Sequence, residues 1–97
     1  MNIYLISQNK NTDYDTYDSA VVIAEDKFNA RRIHPRGDVS FFIDKWLVTC
    51  GKPEFHKYAT DTWVDVKDID EVKVELVGKA DKKYQKQCVI CSSFNAR

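Results

Sequence analysis

The sequence predicts an α+β fold: one domain over residues 1–97, with an antiparallel sheet of about five strands and one helix packed on one face, in the order strand, strand, helix, strands. Two stretches carry this reading. Ser19 to Pro35 reads as a buried strand, Ala-Val-Val-Ile-Ala, running into a short helix that Pro35 stops, because its ring disfavours helical backbone at the preceding residue. Val72 to Val77 alternates strictly, with Val72, Val74 and Leu76 inward and Lys73 and Glu75 outward, as in a half-exposed strand.

The remaining elements follow in chain order. Ile3-Tyr4-Leu5-Ile6 has the β-branched and aromatic character of a central strand. Ser7 to Thr16 is rich in Asn and Asp, which hydrogen-bond their own backbone in turns, so it reads as a long hairpin loop before a second strand near Tyr17 to Ala24. Glu25 or Asp26 starts the helix, where a carboxylate suits the positive end of the helix dipole. Phe41-Phe42-Ile43 and Trp46-Leu47-Val48 are apolar triplets separated by Asp44-Lys45, which predicts a tight turn between two short strands. Gly51-Lys52-Pro53 marks another turn, and Asp65 to Asp70 is polar enough for a turn or one helical turn at the surface. After Gly78, the lysine-rich stretch Lys79 to Lys86 leads into a last strand, Cys88 to Phe94, expected to pair with its predecessor.

A chain of 97 residues is long enough to bury a core without disulfides, but too short to enclose a deep, multi-walled substrate cavity as well. Size alone therefore favours binding over catalysis, and no enzymatic activity is expected. Fifteen basic and fifteen acidic side chains cancel, so the strongly basic footprint of a typical nucleic-acid binder is missing and any charged recognition must be local. The apolar runs are too short to span a membrane, and residues 1 to 20 lack a charged start followed by an apolar stretch. A cytoplasmic protein with no signal peptide and no membrane association is expected.

Cys88-x-x-Cys91 lacks the second pair of ligands that tetrahedral zinc requires, and in a strand positions three apart point to opposite faces. With Cys50 these read as packed, reduced thiols. Asp13, Asp15 and Asp18 do not make a calcium loop, since the sixth and twelfth positions from Asp13 hold Asp18 and Ala24 where such a loop needs Gly and Glu. No metal or other cofactor is expected. His34, just before Pro35, reads as a cationic ring capping the last carbonyls of the helix, and no Ser or Cys nucleophile is set beside it or His56. Asp61, Asp65, Asp68, Asp70, Glu71 and Glu75 form an acidic segment that reads as a solvated face, with nucleic-acid mimicry the sharper alternative.

The helix carries the one feature that the fold does not require. At about 100° per residue, Ala30 and Ile33 share its core side while Phe28 falls on the opposite side between Arg31 and Arg32. An outward aromatic flanked by guanidiniums is a contact surface, because Arg forks suit carboxylate, phosphate and aromatic partners. Lys27, Phe28, Arg31, Arg32 and Arg36 are the candidate partner-binding residues, with Tyr14 and Tyr17 contributing from the Asp-rich loop.

Ile3 to Gln8, Asp13 to Ala20, Ala30 to Pro35 and Val89 to Ala96 together resemble a family of small, mostly uncharacterised proteins encoded by phages and prophages; the likeness spans the chain except for Arg36 to Thr62. The resemblance supplies no catalytic motif. It implies an accessory protein of the host cytoplasm, of a kind that includes anti-CRISPR and other anti-defence inhibitors. The function expected is stoichiometric inhibition of a host defence nuclease, or of its ribonucleoprotein complex, by occupying its surface. Direct nucleic-acid binding through the basic helix face is the alternative, and the protein is expected to be a monomer or a homodimer.

Overall fold

The computed structural model describes residues 1–12, 15–48 and 61–95. It is an α+β arrangement in which antiparallel sheet predominates. Among the described residues the strands divide four and two, where the sequence predicted about five in one sheet. Strands β1 (Asn2–Ser7), β2 (Thr16–Ala24), β5 (Lys73–Lys79) and β6 (Cys88–Asn95) form one sheet in the order β5-β1-β2-β6, and β3 (Val39–Phe42) pairs with β4 (Lys45–Val48) in a separate hairpin. Helix α1 is only Lys27–Ala30, and a 3-10 helix covers Val66–Glu71.

Strands β1 and β2 are central, and their composition says why. On one face Tyr4 opposes Val22 and Ile6 opposes Ala20; on the other Ile3 opposes Ile23 and Leu5 opposes Val21. Both faces therefore carry apolar side chains, giving the near-continuous apolar runs that a buried strand shows. The first face holds the core, where Val74 of β5 and Val89 of β6 pack beside Trp46, Trp63, Val64, Ile69 and Val72. The small residues Ala24 and Ala30 are fully buried and let α1 approach β2 closely.

Three elements depart from expectation. Strand β6 pairs with β2, at the opposite edge from β5, so Lys79 to Lys86 belongs to a crossing at one end of the sheet and not to a hairpin. Leu76, expected inward, is 55% exposed because β5 is an edge strand with a bulge after it at Val77. The turn of the small hairpin is Ile43-Asp44, one residue earlier than expected, so that Phe42 opposes Lys45 and Phe41 opposes Trp46. The turn expected at Gly51-Lys52-Pro53 lies outside the described residues.

Segment 61–64 ties the two sheets together. Asn11 Nδ2 donates to the carbonyls of Asp61 and Trp63 at 2.7 and 3.0 Å, Tyr17 N donates to Thr62 O at 2.8 Å, and Trp46 Nε1 donates to Val64 O at 3.0 Å. Gln8 shapes the loop that presents Asn11: its Oε1 accepts from the backbone N–H of Lys10 and Asn11, and its Nε2 donates to the carbonyls of Asn11 and Tyr17. The loop is also joined to the 3-10 helix by an ion pair, Lys10 to Glu71 at 3.0 Å.

Two predictions follow from these contacts. Trp46 and Trp63 are both buried, yet among the described residues the Trp63 indole N–H has no hydrogen-bond partner. Replacing Trp46 with Phe strands a buried carbonyl, whereas Trp63→Phe removes a donor that has no acceptor. In urea unfolding, Trp46→Phe should cost more than Trp63→Phe by about 1 kcal/mol. The hydrogen bond to Glu71, and then its charge, raise the Lys10 pKa above the ordinary 10.5. A raised lysine pKa means the contribution is present at neutral pH and is lost as the pH rises through the folded value. A small fall in melting temperature in Glu71→Gln at pH 7 should therefore vanish well above pH 10.5.

Candidate functional site

The site is built where α1 meets the hairpin. Asp26 caps the helix, its carboxylate accepting from Asn29 N at 2.8 Å and Asn29 Nδ2 at 2.9 Å. After one turn the bonding tightens, since Arg32 N and Ile33 N reach carbonyls three residues back, on Asn29 and Ala30. The helix is thus shorter than the predicted span to His34. Ile33 forms a lone bridge with Ser40 of β3, and a Pro35-Arg36 turn closed by Gly37 N donating to His34 O at 3.1 Å carries the chain into that strand. Gly37 sits at φ +86, a conformation that other residues adopt only with strain.

His34 is fully buried, and its role differs from the cationic cap expected. Nδ1 accepts from Arg36 N at 3.1 Å, so that nitrogen carries no proton and caps the turn, not the helix carbonyls. Its ring meets Tyr17 edge-on at 6.4 Å and Trp46 at 5.2 Å. Trp46 in turn meets Phe41 at 5.7 Å, and Tyr17 meets Phe94 at 4.8 Å. A row of rings therefore runs from the edge strand β6 across the seam between the sheets to β3.

Arg32 continues the row to the surface. Its guanidinium lies 3.6 Å from the centroid of the Phe28 ring and 5.4 Å from that of Phe41, while one terminal nitrogen donates to Phe28 O at 2.8 Å. Phe28 is 61% exposed, so one side of the ring rests against the cation while much of the side chain meets water. Stacking of this kind restrains an aromatic ring that would otherwise move freely at the surface.

The other predicted residues fare differently. Lys27 is exposed; Arg31 is half-buried and its Nε donates a long bond, 3.4 Å, to Val72 O; Arg36 pairs with Asp38 at 2.9 Å. Glu25, Asp26 and Asp38 stand against these three cations and Arg32, leaving the local surface close to neutral. Tyr17, expected as a loop contact, is half-buried at the start of β2 with its ring packed between Phe94 and His34. Tyr14 lies outside the described residues, as do His56 and Cys50.

The thiols are also placed differently. Cys88 and Cys91 are exposed, not packed. The bulge at Ile90 sets Cys88 against Ile23 and Cys91 against Val21, which share a face, so the two cysteines do too. Among the described residues no group of three or more His, Cys, Asp or Glu side chains could hold a metal ion. The acidic segment lines a groove of ≈ 550 Å³, where Asp61, Asp65 and Asp68 stand with Lys10, Lys45 and Lys67.

Sequence reading missed the hairpin tip. Phe42 is 60% and Ile43 77% exposed, and Ile43 adopts φ 59, an outlier for a β-branched residue. The signal was present in Phe41-Phe42-Ile43, since three successive apolar residues cannot all turn inward from a two-residue hairpin turn. Among the described residues no helix is long and apolar enough to cross a membrane. Comparison with protein families, curated proteins and solved structures found no match.

The strain at the tip is testable. Ile43→Asn, which tolerates positive φ and gives up little buried area, should stabilise the fold by about 0.5–1 kcal/mol in urea unfolding. A destabilised variant would show that the Ile43 side chain contributes packing that its exposure hides.

Proposed function

We propose that the protein acts by stoichiometric binding, not by turnover, in the host cytoplasm, and that its partner is a host defence nuclease complex of the CRISPR type whose surface it occupies. The observation that supports a protein surface as the target is the stack of Phe28 on Arg32. The ring is exposed and held, the combination that interface anchors use, and truncating such anchors typically costs about 2 kcal/mol or more. Phe42 and Ile43 add exposed apolar area on the adjoining hairpin.

Phosphate recognition by the same face has less behind it. Arg31 and Arg32 already donate to carbonyls, Arg36 is paired with Asp38, and three carboxylates offset the cations. The choice of partner class rests on the resemblance to phage-encoded proteins. The anchor rests on the geometry.

Titrating the protein into purified CRISPR nuclease complexes tests both parts. Target cleavage should fall to a plateau at about one protein, or one dimer, per complex. Phe28→Glu, at a position that the fold leaves largely in water, should weaken inhibition about 30-fold, the equivalent of 2 kcal/mol. Unchanged inhibition by folded Phe28→Glu would remove the anchor. Binding to bare DNA or RNA that collapses log-linearly with salt would replace the proposal with direct nucleic-acid binding.

A further inference from the structure

Cys88 and Cys91 meet on one side of the sheet because of the bulge at Ile90. Val89 stands opposite Val22 and Cys91 opposite Val21, with Ile90 the extra residue between them. Cys88, opposite Ile23, therefore shares a face with Cys91, and the rule that strand positions three apart diverge does not hold here. Both thiols are free and exposed. Among the described residues β6 pairs with β2 alone, so no further strand closes over their outer side.

Their spacing selects the chemistry. The two cysteines stand against positions two residues apart on β2, which at the usual rise of an extended strand separates them by about 6.7 Å. Side chains on one face of a strand project side by side, so the Cβ atoms are about as far apart, where a disulfide needs about 3.8 Å. A bond between the sulfurs would require the backbone to move. An ion between them would not: with metal–thiolate bonds of about 2.3 Å, a linear sulfur–metal–sulfur bridge covers about 4.6 Å, and each sulfur leans inward by about 1 Å.

A site of two sulfurs and nothing else suits few ions. Structural zinc requires four ligands and hard cations require oxygens, while among the described residues no third His, Cys, Asp or Glu joins the pair. Copper in its +1 state is soft, selects thiolate, and is satisfied by two ligands in line. We propose that Cys88 and Cys91 bind one copper(I) ion per chain as a two-coordinate dithiolate, on the face of the sheet opposite the core. Each thiol gives up its proton to solvent as its copper–sulfur bond forms, so uptake of one copper(I) releases two protons. The inference does not depend on what the Phe28 surface meets.

The test is anaerobic titration of the full chain with copper(I) held by bicinchoninate, a chelator whose colour falls as the protein takes the ion. Cys50→Ser removes the one other thiol of the chain and should still withdraw one copper per chain. Cys88→Ser or Cys91→Ser added to it should leave the copper with the chelator. So should Cys91→Ser joined with Ser92→Cys, which keeps two thiols but moves one to the face of Ala20. X-ray absorption of the loaded Cys50→Ser chain should show two sulfur neighbours, and its sedimenting mass should not change on loading. Copper kept by any of the three further variants overturns the proposal, as does a Cys50→Ser chain that withdraws none, a third ligand, or a copper that joins two chains. If Cys50→Ser fails to fold, the same three variants made with Cys50 in place decide: each should take up one copper fewer than the unsubstituted chain, and equal uptake overturns the proposal.

Discussion

A two-stranded hairpin buries too little surface to stand alone in water, so β3 and β4 depend on the indole of Trp46. That side chain is buried, donates to Val64 O, and packs its ring on His34 and Phe41. The carbonyl it holds belongs to a segment that Asn11 and Tyr17 hold to the main sheet. One side chain thus completes a path of hydrogen bonds from one sheet to the other through the core. A buried donor with a fixed acceptor permits one docking angle, where apolar contact alone would permit several.

That angle determines the surface. Phe41 faces the same side of its strand pair as Trp46, so fixing Trp46 fixes Phe41, and Phe41 touches Trp46 on one side and comes within reach of the Arg32 guanidinium on the other. Arg32 then has a ring on the hairpin and a ring on α1 within reach, with a carbonyl to orient it. The exposed Phe28 is consequently a surface group whose cation partner is set by the interior. A four-residue helix could not impose this by itself, since helices so short have little stability of their own.

The local features were legible in the sequence because local chemistry decides them. Composition alone identified β1 and β2, a carboxylate cap at Glu25 or Asp26 follows from the acidic pair, and the outward Phe28 follows from the helical period. The 3-10 helix at Val66–Glu71 falls where the polarity of Asp65 to Asp70 predicted a turn or one helical turn, and it is longer, about two turns. What failed was non-local. The partner of β6 depends on which edge a crossing connection reaches, and nothing in Lys79 to Lys86 distinguishes a hairpin from a crossing. Cys88 and Cys91 share a face only because one extra residue at Ile90 reverses the parity of the strand, and a bulge leaves no mark in an apolar run without glycine. Gln8 and Asn11 look like ordinary loop residues until the carbonyls of Tyr17, Asp61 and Trp63 come within their reach.

The contrast between the sheet edges shows why such gaps in reading matter. Had β6 paired with β5, as its sequence position suggests, the charged strand would lie inside the sheet and β2 would be left as the other edge. Because β6 lies on β2 instead, charges protect the β5 side while the other side ends in a strand of Ser, Cys and apolar residues. A soluble monomer has reason to guard both edges, since an unpaired strand recruits whatever strand it meets. Guarding only one is consistent with an edge meant to be covered.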